Sequence, residues 1–278
     1  MIASLHLVSI ALFVWMYPLT SSAAPSTLTL ATTTSLENSG LLTYLLPQFT
    51  AQTGIVVHVI SQGTGRALQT ARNGDADAVL THHPALERAF IKDEFAPERL
   101  PIMEGRFGLV GPANDPAMLN SAPNSVEAFK RLAAYGQQAN KPVFVSRGDN
   151  SGTHYAEQKL WHETGIDPTP MSGHWYLETG AGMGATLNIT AELNAYTLVD
   201  RATWLASGNT QYLQWIGDQI TYPPNHYTVI IVSPARHPHT RHDEARAFVR
   251  WLLSNKGQAA VQTFYLRDEQ PFWPISGQ

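Results

Sequence analysis

The sequence predicts an α/β fold, because short apolar runs typical of strands alternate with segments of helical periodicity along the chain. The strand-type runs lie at 28–30, 55–60, 78–80, 143–146 and 196–199. Glycine, which readily adopts the left-handed conformation of a C-cap, follows several helical segments, at Gly54, Gly74 and Gly165. Such alternation favours parallel sheets that are covered by helices on both faces.

Apolar spacing and capping residues predict the helices. The helical segments are 39–53, 64–73, 124–134, 185–194, a segment after 146 that ends near Thr164, and two helices within 244–264 that break near Lys256 and Gly257. Asn124 followed three residues later by Glu127 is the pattern of a helix N-cap. Pro47 should kink or split the first helix, since proline removes a backbone donor and clashes with the preceding turn.

Two apolar runs, at 107–112 and 227–234, differ from the others because each ends in proline and about 110 residues separate them. If these runs pair, they form a two-stranded bridge, and the residues between them become a second lobe. We therefore expect lobe I to comprise 24–107 and 226–278, and lobe II to comprise 108–225.

Composition limits the classes of partner. The chain has 278 residues, a net charge of -4 and no cysteine. Its length suits one large domain or two ordinary ones. The weak negative charge argues against a nucleic-acid partner, so any anion site must be local. Without cysteine, an exported chain carries neither disulfides nor a lipid-bearing cysteine.

The first 23 residues predict a secretory signal peptide. The apolar stretch 7–17 is too short to span a bilayer, and it leads into Ser21, Ser22 and Ala23, which form a small-residue cleavage pattern. The segment before it lacks Lys and Arg, so a membrane anchor is the alternative interpretation. We expect a protein of the bacterial periplasm.

Four turns that lead into helices are rich in glycine, and most are also rich in hydroxyl residues. They lie at 31–40, 61–66, 146–154 and 179–186. The first N–H groups of a helix are unpaired and its dipole is positive there. Ligands of open α/β sheets bind at the carboxyl ends of the strands. Each turn alone is explained equally well by ordinary capping, but together they predict an anion site of neutral donors.

The turn at 146–154, SRGDNSGTH, also supplies a full positive charge. Arg147 can hold two oxygens of an anion at once. We expect Asp149 to cap the helix or to hold Arg147, and Arg66 in the second turn to be solvated.

Histidines give a weaker signal. The pair His82 and His83 and the cluster His237, His239 and His242 have residue types that bind metals, but no carboxylate spacing completes a site. We therefore expect both groups in solvated loops, and no metal site.

Five motifs follow one another along the chain: TTTS at 32–35 with SGLL at 39–42, GTG at 63–65, SRGDNSGTH at 146–154, GMGATL at 182–187 and Asp-Arg at 200–201. In this order they resemble the motif series of the periplasmic tungstate-binding proteins of ABC importers (TupA type). The resemblance covers nearly the whole chain after residue 24, and SRGDNSGTH is its most specific part.

The resemblance implies a type II periplasmic binding protein, with two α/β lobes joined by two crossing hinge strands. It implies capture of tungstate or molybdate and delivery to a membrane permease and ATPase, without catalysis or cofactor. Carried over by motif, the oxyanion contacts are Thr34, Ser35, Thr64, Gly65, Arg147, Ser151, Gly152, Thr153 and Gly184. The tungsten atom would be bound as its oxyanion, not ligated by protein atoms. We expect a monomer.

Two other functions remain open. Arg147, Asp149 and 151–153 also match a turn of phosphate-binding proteins, in which the aspartate accepts the proton of monohydrogen phosphate; tungstate at neutral pH has no proton and needs only donors. An exported hydrolase would use Ser151 or His154, in a loop that superficially resembles the nucleophile loop of chymotrypsin-like proteases. It would need an aligned general base, and the sequence indicates none.

The signal-peptide hypothesis predicts cleavage after Ala23, because the apolar region is short and small residues follow it. N-terminal sequencing of the protein from a periplasmic extract should begin at Ala24. Retention of Met1 in the membrane fraction would instead support the membrane anchor.

Overall fold

The computed structural model describes residues 25–208 and 211–275. The predicted signal peptide at 1–23 lies outside these ranges. Within them, no helix combines the length and the apolar character needed to cross a bilayer.

Strands and helices alternate through most of the described chain, as the sequence predicts. The strands are β1 Thr27–Thr33, β2 Val56–Gln62, β3 Ala78–Thr81, β4 Leu100–Gly105, β5 Phe107–Gly111, β6 Phe144–Ser146, β7 Tyr176–Glu178, β8 Thr197–Asp200, β9 Gln214–Ile216, β10 Asn225–Ile231 and β11 Phe272–Pro274. The helices are α1 Thr34–Asn38, α2 Leu41–Thr53, α3 Thr64–Arg72, α4 Pro84–Lys92, α5 Ser125–Gln138, α6 Gly152–Thr164, α7 Met183–Leu193, α8 Arg201–Ala206, α9 His242–Leu253 and α10 Asn255–Gln262.

The larger sheet has six strands in the order β11-β4-β10-β3-β1-β2. β1 is parallel to β2 and β3, whereas β10 is antiparallel to both β3 and β4. Leu28 and Leu30 of β1 belong to the same buried cluster as Phe49 of α2 and Phe248 of α9. Ala31 belongs to a different cluster, which includes residues of α3 and α4. Helices therefore cover both faces of this sheet.

The second lobe contains a three-stranded sheet in the order β8-β5-β9 and the parallel pair β6–β7. Its core is aromatic, with Phe129 of α5, Phe144 of β6 and Trp161 of α6 in mutual ring contact. The chain passes between the two sheets at Arg106, between β4 and β5, and again between β9 and β10. This is the two-lobed α/β architecture that the sequence predicts, while the lobe boundaries given above stay a prediction.

The predicted pairing of the runs 107–112 and 227–234 is wrong. β5 pairs with β8 and β9, and β10 pairs with β3 and β4. The six-stranded sheet combines parallel and antiparallel pairs, and both pairs of the three-stranded sheet are antiparallel, so neither is the purely parallel sheet that simple alternation suggests. Strand-like composition does not identify a strand's partner. The first run lies in the three-stranded sheet and the second in the six-stranded sheet.

Pro47 does not split α2, which runs without a break from Leu41 to Thr53. Proline at this position leaves the carbonyl of Thr43 without its helical donor. Both Pro47 and Thr43 are exposed, so water can bond to this carbonyl at little cost.

The two predicted C-terminal helices are confirmed, with the break at Ser254, just before Lys256 and Gly257. The Ser254 hydroxyl accepts a hydrogen bond from the Gly257 N–H at 3.2 Å, which makes Ser254 the N-cap of α10. Lys256 and Gly257 consequently lie in the first turn of α10.

Replacement of this cap gives a stability prediction. Ser254→Ala should lower the free energy of unfolding by about 1 kcal/mol, because the first turn of α10 loses its side-chain acceptor. Ser254→Asp keeps an acceptor and is the matched control. Urea unfolding of the three proteins measures the effect, and equal destabilisation by Ala and Asp would show that the cap does not stabilise α10.

Candidate functional site

The turns after β1, β2 and β3 lie at one edge of the larger sheet. In the parallel register, Thr33 of β1 lies beside Gln62 of β2, and Thr32 lies beside Leu80 of β3. The turn after β3 contains His82 and His83, which are 3% and 6% exposed. The prediction of a solvated loop at these two histidines is therefore wrong, and the third turn belongs to the same edge as the first two.

The first turn brings buried hydroxyl groups to this edge. The Thr33 hydroxyl caps α1 and lies 3.2 Å from the Ser35 hydroxyl. The Ser35 hydroxyl in turn lies 3.4 Å from Nε2 of His82. Ser35 and Thr33 are buried, whereas Thr34 is half-buried. Thr33 is thus a buried hydroxyl residue at this edge that the motif comparison did not single out.

The second turn opens α3 at Thr64 and Gly65. Thr64 is buried, and its hydroxyl has no hydrogen-bond partner among the described residues. Gly65 is exposed, and a Cβ atom at that position would meet no described atom within 4 Å. The first turn of α3 therefore presents one buried hydroxyl and a stretch of backbone without side-chain cover.

The SRGDNSGTH turn of the second lobe buries its arginine. Arg147 is 4% exposed, and its Nη2 donates to Oδ2 of Asp149 at 2.5 Å. Oδ1 of Asp149 accepts the N–H of Ser151 at 3.2 Å. The expectation that Asp149 holds Arg147 is confirmed, and Arg66 is exposed, as predicted. Nε of Arg147 has no partner among the described residues.

The same turn begins α6. The Ser151 hydroxyl accepts from the N–H of His154 at 3.3 Å, and Nδ1 of His154 accepts from the N–H of Asn150 at 3.0 Å. Ser151 is therefore the N-cap of α6, and its hydroxyl contacts the backbone. Thr153 is 1% exposed, and its hydroxyl has no partner in the described part of the chain.

The fourth turn lies against the SRGDNSGTH turn. The Thr179 hydroxyl donates to the carbonyls of Ser146 and Arg147, both at 3.2 Å, and lies 3.1 Å from the Thr186 hydroxyl. Gly184, in the first turn of α7, is exposed, and a Cβ there would meet nothing within 4 Å. The backbone at the start of α7 is consequently open next to the arginine turn.

The two lobes touch at these turns. A Cβ atom on Gly152 would lie 2.7 Å from the carbonyl oxygen of His82 and 2.8 Å from Nδ1 of its ring. The rings of His83 and Tyr155 lie 4.5 Å apart. No side chain larger than hydrogen fits at position 152, so Gly152 permits the start of α6 to approach the turn after β3.

Contacts within the first lobe hold the His82 ring in place. Its Nδ1 lies 2.9 Å from the side-chain oxygen of Asn225, and its ring stacks on Tyr227 at 4.8 Å. Burial lowers the pKa of His82, while the Asp200 carboxylate opposes this shift. The ring is therefore neutral at neutral pH, although two carboxylates and Arg147 are close enough to act on it.

Unpaired polar atoms from both lobes occur in these turns. Among the described residues, the buried atoms without a partner include the hydroxyl of Thr64, Nε of Arg147 and the hydroxyl of Thr153. Buried polar groups normally have hydrogen-bond partners, since leaving one unpaired costs about 1–3 kcal/mol. No other arginine or lysine in the described ranges is buried. The arrangement is suited to binding an anion through several neutral donors and one guanidinium.

The described residues contain no group of three or more His, Asp or Glu side chains arranged to hold a metal ion. His237 and His239 instead contact the backbone carbonyls at the end of α3, with their Nε2 atoms 2.9 Å from the oxygens of Arg72 and Gly74. His242 lies in the first turn of α9.

Sequence reasoning missed His82, Asn225 and the buried hydroxyl of Thr33. The signal for His82 was present, because it follows a strand in the same way as the turns at 31–40 and 61–66. Its partner Asn225 lies 143 residues away in the chain, at the start of β10, and no local pattern connects the two.

The fold and the turns that meet between its lobes define a two-lobed binding protein. A family model described as a PBP superfamily domain matches residues 20–256. The chain is 42% identical over 240 residues to the tungstate-binding protein TupA of Peptoclostridium acidaminophilum, which covers 86% of this chain and 81% of that protein.

Two solved structures are also similar. The tungstate-binding protein TupA of Desulfovibrio alaskensis G20 has a TM-score of 0.78 at 38% identity and covers 91% of this chain and 100% of that chain. The tungstate ABC transporter structure from Geobacter sulfurreducens has a TM-score of 0.77 at 38% identity. The match covers 86% of this chain and 98% of that chain. The chain belongs to the TupA family. These relatives are named for binding or transport, not as enzymes.

The burial of His83 gives a pH prediction. Burial lowers the pKa of His83 to about 4, so the unfolded chain binds more protons than the folded one between that value and about 6.5. His83 therefore lowers the free energy of unfolding as the pH falls from about 6.5 to about 4. His83→Asn keeps an acceptor for the N–H of Leu86 but does not titrate.

The loss of unfolding free energy between about pH 7.5 and about pH 5 should be smaller in His83→Asn than in the parent. Replacement of the exposed His58 by Asn is the control and should leave the loss unchanged. Urea titrations at the two pH values measure it. An equal loss in parent and His83→Asn would contradict the burial of a neutral His83.

Proposed function

We propose that this protein captures tungstate or molybdate between its two lobes and delivers the oxyanion to the permease and ATPase of an ABC importer. The observation that carries the proposal is the buried Arg147, which lies near the lobe contact and has an unused Nε donor. Unpaired buried hydroxyls on Thr64 of one lobe and Thr153 of the other support it. The names of the TupA relatives agree with this ligand.

The charges of the site suit a fully ionised oxyanion. Asp149 already balances most of the charge of Arg147, so a dianion must be stabilised largely by neutral donors. The starts of α3, α6 and α7 provide such donors, and each helix N-terminus is equivalent to roughly half a positive charge. In this proposal Thr34, Ser35, Gly65, Ser151, Gly152 and Gly184 complete the set of contacts.

The same geometry argues against phosphate. Monohydrogen phosphate carries a proton and needs an acceptor in the site. Both oxygens of Asp149 are engaged, one by Arg147 and one by the N–H of Ser151. A ligand O–H would therefore have to compete with these two donors for the acceptor capacity of Asp149. We therefore expect phosphate to bind at least about a hundredfold more weakly than tungstate, which is about 2.7 kcal/mol.

The proposal also includes the expectations drawn from the sequence. The protein acts in the periplasm as a monomer after removal of residues 1–23, with lobe I at 24–107 and 226–278 and lobe II at 108–225. It performs no catalysis. The hydrolase alternative receives no support from the Ser151 contacts, because its hydroxyl accepts from the backbone N–H of His154 and no contact among the described residues joins it to a general base.

Calorimetric titration of ligand-stripped protein with tungstate, molybdate, sulfate and phosphate tests the proposal.

Arg147→Lys keeps the charge but loses the planar donor fork, and should weaken tungstate binding by roughly tenfold. Arg147→Gln loses the charge and should weaken it by about a hundredfold or more. Thr153→Val removes one donor at nearly constant volume and should cost roughly tenfold.

Arg88→Gln is the matched control, since it removes one positive charge from an exposed position on α4. It should bind tungstate like the parent. Thermal unfolding without ligand shows whether each variant is folded. If Arg147→Gln binds tungstate as tightly as the parent, the SRGDNSGTH turn is a helix cap and not an anion site; equal affinity for phosphate and tungstate would favour the phosphate function.

A further inference from the structure

Glu157 is a buried carboxyl group directly behind the SRGDNSGTH turn. It lies one turn into α6 and is 2% exposed. Its oxygens accept hydrogen bonds from the Ser146 hydroxyl at 2.7 Å, the Tyr176 hydroxyl at 2.7 Å and Nε1 of Trp161 at 3.2 Å. All three donors are neutral, so a negative charge on Glu157 has hydrogen bonds but no paired cation in the described part of the chain.

The charged groups around Glu157 do not supply a counter-ion. Arg147, after β6, is paired with Asp149. On β7, Glu178 adds a repulsive charge. On α5, Arg131 pairs with Glu127 and Lys130 is exposed. The other charged groups and histidines on packed elements are Asp200 at the end of β8, Glu192 on α7, and His154, Lys159, His162 and Glu163 on α6. Burial raises the pKa of Glu157 to about 7, although the hydrogen bonds from Ser146, Tyr176 and Trp161 oppose this rise.

Glu157 is connected to the SRGDNSGTH turn through Ser146. The Ser146 hydroxyl, which donates to Glu157, also accepts the N–H of Gly148 at 3.2 Å. Residues 146 and 148 flank Arg147, so the position of this hydroxyl influences where the arginine backbone lies.

Glu157, Ser146 and Tyr176 can therefore hold an additional proton without losing a hydrogen bond. When the carboxyl is protonated, it can donate through Oε2 to the Ser146 hydroxyl, while Tyr176 continues to donate to Oε1. The protonated state keeps the Gly148 N–H bonded to Ser146. It also removes a buried negative charge behind the anion site.

We propose that Glu157 is a positioning residue of the oxyanion site and that its carboxyl takes up one proton when the dianion binds. The inference rests on the proposed function. Two negative charges that arrive beside Arg147 repel an ionised Glu157 through the poorly screened interior, and this repulsion disappears when the carboxyl is neutral. By linkage, proton uptake makes the oxyanion bind more tightly as the pH falls through the range in which Glu157 titrates.

Proton uptake can be measured by calorimetric titration with tungstate at about pH 7.5 in two buffers of different ionisation enthalpy. The parent should take up a substantial fraction of one proton. Its affinity should fall by about fivefold or more between about pH 6.5 and about pH 8.5. Glu157→Gln should bind tungstate without proton uptake and with a nearly constant affinity, within about threefold of the parent at the lower pH, because its amide donates to Ser146 as the protonated acid does.

Glu163→Gln, on the exposed end of α6, is the matched control and should behave like the parent. Undiminished proton uptake by Glu157→Gln would overturn the proposal and assign the proton to His82, His83 or His154. Binding by the parent without proton uptake would overturn it even if Glu157→Gln failed to fold. Absence of tungstate binding by the parent would instead overturn the proposed function.

Discussion

The burial of Arg147 is the constraint on which the site depends. A guanidinium removed from water needs a close negative partner, and Asp149 can reach it only because the turn between them is tight. Gly148 and Asn150 both adopt positive φ angles, 58° and 56°, which fold the chain back within two residues. The same turn places Ser151 as the cap of α6. One ion pair thus fixes the arginine, the start of the helix and the open backbone beside it.

Rigidity behind this turn comes from the second lobe's core. Ser146 is held by Glu157, and the aromatic rings of Trp161 and Tyr176 pack around the same helix and strand. In the first lobe, the turn after β3 is held by the contact of His82 with Asn225 and by the stacking of the His82 ring on Tyr227. Each half of the site is therefore held by contacts within its own lobe, which lowers the entropy lost when a small anion is bound.

Local hydrogen bonding explains what the sequence could predict. Arg147 and Asp149, and Ser151 and His154, are two or three residues apart, so their contacts follow from the motif itself. The partners of the two proline-ended runs and the burial of His82 depend on residues far away in the chain, and composition contains no information about them. Glu157 was missed for a related reason, because a glutamate within a helix ordinarily faces water and only the packing of α6 on β6 and β7 shows otherwise.

The close fit between Gly152 and His82 has a consequence for exchanging lobes between homologous proteins. One of the atoms facing Gly152 is a main-chain oxygen, so no change of side chain at position 82 can make room for a larger residue at position 152. A chimera that joins the first lobe of one relative to the second lobe of another must therefore reproduce the path of the backbone on both sides of this contact. Matching the residues that touch the ligand would not be sufficient for the two lobes of the chimera to fit together.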